Sequence, residues 1–200
     1  MKKIKVAVLM GGKSPEYEIS LISGREVVAH LPRKYAVTPV IISRDGKKWL
    51  ATSRQATLLL PDPLELLGTK KDICVSKKES QLVNEQKIAS KVDVCFIAMH
   101  GPFGEDGKIQ GMLDMAGIKY TGSGVCASAI GMDKLLFRKL MKAEGLPIPK
   151  YIVAGKGKGK LNLKALGKPP YFVKPNDQGS SVGASIVKNK KGLVKALKLA

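Results

Sequence analysis

Three glycine-punctuated segments carry the residues best suited to chemistry. In His100-Gly101-Pro102-Phe103-Gly104-Glu105-Asp106-Gly107 a histidine stands among glycines that let the backbone bend around a small ligand, and Asp106 can cap a following helix. A lone histidine serves equally well as a packing or hydrogen-bonding residue. In Gly11-Gly12-Lys13-Ser14-Pro15-Glu16-Tyr17-Glu18-Ile19-Ser20, glycines precede a helix start. Free amides there favour a carboxylate or phosphate, and Glu16 or Glu18 can hold an ammonium. The plainer reading makes both glutamates partners of the helix dipole. The third segment is Lys174-Pro175-Asn176-Asp177-Gln178-Gly179-Ser180-Ser181-Val182-Gly183. Its lysine is a point charge for phosphate, and the amides and hydroxyls of Gly179, Ser180 and Ser181 can fold over a polyphosphate. Ligand-free hairpin loops share this composition.

Two further patterns fail on inspection. Gly12-Lys13-Ser14 resembles the end of a Walker A loop, but Ala7 occupies the position of the required first glycine, inside a strand. Gly122-Ser123-Gly124-Val125-Cys126-Ala127 fits a dinucleotide fingerprint, yet the acidic residue some 20 positions on, Glu144, falls on a helix. The glycines there read as a tight turn for close helix–strand packing, so a nicotinamide-dependent oxidoreductase is disfavoured.

Elements must hold the three segments in place. The apolar run 4–10 reads as a strand buried on both faces, followed by a helix from within 14–23 and a second strand over 37–43. Asp45-Gly46 signals a hairpin turn, and short strands are expected near 73–76 and 80–84. Val92 to Met99 reads as another buried strand, delivering His100 at its C-terminal end, where doubly wound sheets place ligands. A helix with Ile109, Met112 and Leu113 follows, then a short strand at Lys119-Tyr120 and helices near 124–130 and 133–144. Beyond 150 the pattern changes to short strands (150–153, 170–174, 182–187), the lysine–glycine run 155–160 and a helical stretch at 161–167. The closing helix, Lys191 to Ala200, has no stop signal, so the chain is expected to break off inside a larger fold.

Charge and cysteines narrow the classes. The net charge is +19, of which residues 150–200 carry +11 through twelve lysines against Asp177 alone. A polyanion-binding module is the alternative this suggests. The stretch has no arginine and no interleaved aromatics, which favours a solvated surface with a few lysines turned to a nucleotide, and no nucleic acid is expected. Cys74, Cys95 and Cys126 are odd in number and widely spaced, and with only His30 and His100 they make no zinc site. A reducing cytoplasmic setting is expected, with no membrane-spanning segment and no signal peptide.

Five segments in register carry a resemblance: GGxSxExExSxxSG at 11–24, HGxxGEDGxxQG at 100–111, YTGS at 120–123, MDK at 132–134 and KPxxxGSSVG at 174–183. Together they are similar to the D-alanine–D-alanine ligases of the ATP-grasp superfamily. The resemblance implies an α/β fold: a doubly wound, mainly parallel N-terminal sheet over 1–121, then the first part of an ATP-grasp central α+β domain over 122–200. It implies ATP-dependent joining of two D-alanines through an acyl phosphate for peptidoglycan synthesis, or of D-alanine to D-lactate in a close variant. By the same resemblance Glu16 and Ser180 are catalytic, and Glu16, His100 and Gly101 bind substrate. Lys134, Lys174, Gly179, Ser180 and Ser181 bind the nucleotide. Magnesium (or manganese) is implied with ligands beyond residue 200, since Asp177 is the only carboxylate after Lys174. A homodimer through the N-terminal domain is implied as well. These 200 residues alone are expected not to catalyse the ligation.

Overall fold

The computed structural model describes residues 3–76, 78–84, 87–88, 90–155 and 161–200, with the side chain of Lys190 excepted. It divides into two compact units, Met1–Ala129 and Ile130–Ala200.

In the first unit a five-stranded sheet runs in the order β4-β3-β2-β1-β5, with β1 Lys5–Gly11, β2 Ala36–Ile42, β3 Trp49–Thr52, β4 Ser80–Val83 and β5 Val94–Ile97. Strand β1 lies between β2 and β5 and is parallel to both. Strands β3 and β4 add an antiparallel wing. The sheet is therefore mixed where a mainly parallel one was expected. Asp45-Gly46 explains the difference: Gly46 takes φ +76° and turns the chain straight back from β2 into β3, where a parallel neighbour would have needed a crossover.

The alternation along β1 sorts the core. Ala7 and Leu9 face one side with Val40, Cys95, Ile109 and Leu113. Val6, Val8 and Met10 face the other with Tyr17, Leu21 and Val28. Helix α1 (Tyr17–His30) covers the second face, and helix α3 (Lys108–Met115) supplies Ile109 and Leu113 to the first. Each fully buried aliphatic side chain of this kind is worth about 1.5–3 kcal/mol. A short helix α2 (Arg54–Leu58), capped by the Ser53 hydroxyl, follows β3 and has no counterpart in the sequence reading.

Several expected strands change character. Residues 73–76 are not a strand: Ile73 is buried, but its N–H donates to the Tyr17 hydroxyl (3.2 Å) rather than to a ladder. The segment at Lys119-Tyr120 is reduced to a single bridge, Cys95 to Tyr120. Gly122 needs its glycine for φ +100°, yet no atom crowds its Cβ position, so close packing is not the reason for it.

The second unit contains helix α5 (Lys134–Ala143), an antiparallel hairpin of β6 (Tyr171–Val173) and β7 (Ser185–Val187), and helix α6 (Lys190–Leu199) packed against that hairpin. Val187 and Ala196 are buried in the second unit, and Asn189 caps α6 by accepting from the Gly192 N–H. Helix α4 (Val125–Met132) precedes α5. Residues 150–153 form no strand, and 182–184 belong to a turn. The stretch 161–167 shortens to one 3-10 turn, Leu163–Leu166. Most of the lysine–glycine run, residues 156–160, lies outside the described residues. No helix among the described residues is long and apolar enough to cross a membrane.

Two measurements test this packing. Gly24 of α1 lies so close to Met10 of β1 that an added Cβ would stand 2.6 Å from the Met10 Cβ. Gly24→Ala should destabilise the unit by about 1–3 kcal/mol in urea titration, and an unchanged midpoint would refute this helix–strand contact. Burial pushes the Cys95 thiol up to about 11, from an ordinary 9.0. Its neutral form therefore stabilises the fold below about pH 9, and that contribution fades as pH rises through 11. At pH 8 a thiol reagent should label the exposed Cys74 and Cys126 quickly and Cys95 only after denaturation.

Candidate functional site

In the first unit the candidate residues gather at the C-terminal ends of β1 and β5. Gly11 and Gly12 take φ +81° and +93°, and the Gly12 N–H donates to the Ile42 carbonyl (2.9 Å), so the chain turns off β1 hard against β2. The Ser14 hydroxyl accepts from the Glu16 N–H (3.1 Å), and α1 begins one residue later. Glu16 holds the N-cap position without capping: its carboxylate makes no hydrogen bond to the helix. Glu16 is only 8% exposed, and its Oε2 has no hydrogen-bond partner among the described residues. A buried, unsatisfied carboxylate oxygen is costly, and an incoming cation or donor would relieve that cost.

Gly101 makes room for this carboxylate. A Cβ there would stand within van der Waals contact of Glu16 Oε2 and 2.9 Å from Ser14 Oγ, and the residue already has φ +66°. Its N–H donates to Glu105 Oε2 (2.6 Å), and its carbonyl accepts from the N–H groups of Gly104 and Glu105. His100 stands beside it with Nε2 2.8 Å from the Ser23 hydroxyl of α1. One turn earlier, the Ser20 hydroxyl accepts from the Gly11 N–H and donates to the Ala98 carbonyl, both at 2.8 Å. Helix α1 thus pins the ends of β1 and β5 through one serine and meets His100 with another.

The rest of the histidine loop is held from below. Gln110 of α3 donates to the Gly104 carbonyl (2.9 Å), and Asp106 accepts from the N–H groups of Phe103 and Lys108. The N-cap of α3 is Gly107, with no side-chain cap, so Asp106 does not cap the helix as expected and takes only the N–H of its first residue, Lys108. Burial pulls the Asp106 carboxyl upward, but the Lys108 ammonium and those two N–H groups outweigh it and hold the group below the ordinary carboxylate range. Phe103 adopts φ +68°, with the Lys13 and Lys108 ammoniums 5.3 and 4.9 Å from its ring centroid.

The two glutamates left open by the sequence separate here. Glu18 is buried and paired with Arg44, whose guanidinium also lies 4.2 Å over the Tyr17 ring and donates to the Lys71 carbonyl. Glu18 is therefore committed to the fold, and Glu16 is the carboxylate that remains available. Nothing in the local sequence marks Arg44 or Ser23 as partners. Both pairs join residues that only the folded chain brings together.

In the second unit Lys134 opens α5, and its ammonium donates to the carbonyls of Gln178 (2.6 Å) and Asn176 (3.3 Å). Burial, then the charge of nearby Lys174, lowers the Lys134 pKa. Two lysines thus share one neighbourhood at the start of the Lys174–Gly183 loop. In that loop Ser180 and Ser181 take φ +46° and +61°, a left-handed backbone that non-glycine residues adopt at a cost of about 1–2 kcal/mol each. Gly183 returns the chain beneath Pro175, where a Cβ would stand 2.7 Å from Pro175 Cγ. Lys174, Ser180 and Ser181 are exposed and Gly179 is half-buried. Among the described residues no group of three or more histidines, cysteines or carboxylates could hold a metal ion.

The matches to known proteins follow this division. A family model described as D-ala D-ala ligase N-terminus matches residues 5–123, and one described as D-ala D-ala ligase C-terminus matches 140–200. The chain belongs to the D-alanine–D-alanine ligase family. It is 38% identical over 216 residues to a D-alanine–D-alanine ligase of Chloroherpeton thalassium, covering 100% of this chain and 59% of that one. To a D-alanine–D-alanine ligase of Mycolicibacterium smegmatis it is 42% identical over 199 residues, covering 92% of this chain and 53% of the relative. Among solved structures, the D-alanine–D-alanine ligase of Coxiella burnetii superposes with a TM-score of 0.80 at 30% identity, over 98% of this chain and 60% of that one. The ligase of Bacillus anthracis complexed with ATP gives 0.66 at 30% identity, over 99% and 53%. The chain spans between half and three-fifths of the length of these family members.

Gly101→Ala is the most direct probe of the first-unit geometry. It forces a β-carbon into the Glu16 carboxylate and a left-handed φ onto alanine. We expect a loss of about 1–3 kcal/mol by chemical denaturation. Wild-type stability would show that Glu16 does not pack against this glycine.

Proposed function

We propose that this chain provides the amino-acid end, and the opening part of the nucleotide end, of an ATP-dependent D-alanine–D-alanine ligase. The observation that carries the reading is the Glu16 carboxylate: buried, unpartnered at Oε2, and set against Gly101 at the mouth of the histidine loop. An α-ammonium is the small cation that such a carboxylate suits, and the small side chain of alanine suits the restricted space beside Gly101.

The chemistry assigns the other residues. A D-alanine carboxylate oxygen attacks the γ-phosphorus of ATP and ADP leaves, giving an acyl phosphate. The amine of a second D-alanine then attacks the acyl carbon, phosphate leaves, and the new amide nitrogen loses its proton. Glu16 holds the ammonium of the first D-alanine. His100, fixed by Ser23, faces the substrates and helps orient the second. Lys134 and Lys174 neutralise nucleotide phosphate charge, and the amides and hydroxyls of Gly179, Ser180 and Ser181 fold over it. Phosphoryl transfer depends mainly on such positioning and charge neutralisation. Exclusion of water then protects the acyl phosphate from hydrolysis. No step is routed through magnesium, because the described residues gather no group of three or more histidines, cysteines or carboxylates that could hold it. For the same reason the 200-residue chain is expected to bind its ligands without joining them.

Calorimetric titration tests the reading. Glu16→Gln should weaken D-alanine binding about tenfold or more, and Lys174→Ala should do the same for ATP, as expected for lost charge-assisted contacts. If wild type binds neither ligand, the assignment fails. D-alanine-dependent release of phosphate from ATP by the purified chain would instead overturn only the expectation that it does not catalyse.

A further inference from the structure

The start of α5 is held by a residue the family motifs do not name. All four of its first N–H groups have partners. Lys134 N–H donates to the Asn176 carbonyl (3.1 Å), and Leu136 N–H to Asp133 Oδ1 (2.9 Å). Phe137 N–H donates to the Asp133 carbonyl (2.8 Å). Leu135 N–H is shared between Asp133 Oδ1 (3.0 Å) and Asn176 Oδ1 (2.9 Å). Asp133 is an ordinary N-cap adjoining the helix. Asn176 is not: it arrives from the loop after β6, 41 residues further along the chain, and acts as a second cap.

Two consequences follow. The helix N-terminus has no unsatisfied N–H left to offer an anion, so the Lys134 ammonium is the group through which α5 can meet phosphate. That ammonium is tied to the same loop, through the Asn176 and Gln178 carbonyls. The Asp133 carboxyl lies below the ordinary carboxylate range, held there first by the Leu136 N–H and second by the Asn176 side chain. The Leu135 N–H, shared by Asp133 Oδ1 and Asn176 Oδ1, brings the two side chains together.

Building on the nucleotide reading above, we infer that Asn176 is the positioning residue of the phosphate site: its side chain joins the Lys174–Gly183 loop to the start of α5 and so fixes Lys134 and Lys174 as a pair. Asn176 touches no phosphate in this role. It sets the spacing of the two charges that do.

The pair Asp133 and Asn176 can be exchanged, and the exchange provides the test. ATP is titrated calorimetrically into wild type, Asn176→Ala, Asn176→Asp and the swap Asp133→Asn with Asn176→Asp, each checked for folding by circular dichroism. Asn176→Ala should raise the ATP Kd about tenfold. Asn176→Asp alone should be at least as weak, because two carboxylates then face each other. The swap restores one carboxylate, one amide and an acceptor for Leu135 N–H, and should return the Kd to within about threefold of wild type. A merely structural role predicts no such rescue of ATP affinity. If folded Asn176→Ala binds ATP as wild type does, or the swap binds no better than Asn176→Asp, the inference is overturned. Should Asn176→Ala fail to fold, the comparison of swap with Asn176→Asp decides alone. A wild-type chain that binds no ATP would sink the nucleotide reading and this inference with it, an outcome distinct from the others.

Discussion

The first unit turns on the fully buried hydroxyl of Ser20. It takes the N–H of Gly11 and gives its proton to the carbonyl of Ala98, so one side chain satisfies a polar group at the end of each of the neighbouring parallel strands β1 and β5. Those strand ends would otherwise leave buried backbone groups without partners, at a cost of about 1–3 kcal/mol apiece. With that bond made, α1 has one allowed rotation against the sheet. Glu16 then sits one turn before Ser20 and Ser23 one turn after, and the histidine loop departs from the strand end that Ser20 holds. The relative positions of Glu16, Gly101 and His100 follow from a serine whose hydroxyl bonds to none of them.

The two units handle charge in opposite ways. In the first, three carboxylates are sorted: buried Glu18 is neutralised by Arg44, half-buried Asp106 is held by Lys108 and two N–H groups, and buried Glu16 keeps an oxygen without a partner among the described residues. In the second, the charges singled out are two lysines: Lys134 is held on backbone carbonyls and Lys174 is exposed. A carboxylate that waits for an ammonium must be rigid and dry, because its selectivity comes from geometry. Lysines that gather a polyphosphate work at longer range and tolerate exposure.

Much of this could be read from the sequence, and what could not has physical causes. The continuous apolar run 4–10 and the glycines after it placed the first strand and the helix start. The apolar stretch around Ile73 has strand composition, but its N–H is taken by the Tyr17 hydroxyl 56 residues away, and no periodicity encodes that. Nor did spacing tell Glu16 from Glu18, since the difference is the arrival of Arg44 from β2's far end. Asp133 is legible as an Asp before a helical pattern. Asn176 is not, because its partner helix lies 41 residues earlier. Local signals name elements and caps well; contacts that close across long loops appear only when the chain is folded.

The sheet's two edges have one more consequence. Strand β5 would present an open row of backbone groups, but Cys95 donates to the Lys119 carbonyl (2.8 Å) and accepts from the Thr121 N–H (3.0 Å), so a short arm of the same chain occupies its middle. The opposite edge, β4, is four residues long and displays Leu82 to solvent. One edge is occupied and the other is too short to template a long ladder, and the net charge of +19 makes copies of the chain repel one another. The lysine excess thereby also disfavours strand exchange between neighbouring molecules.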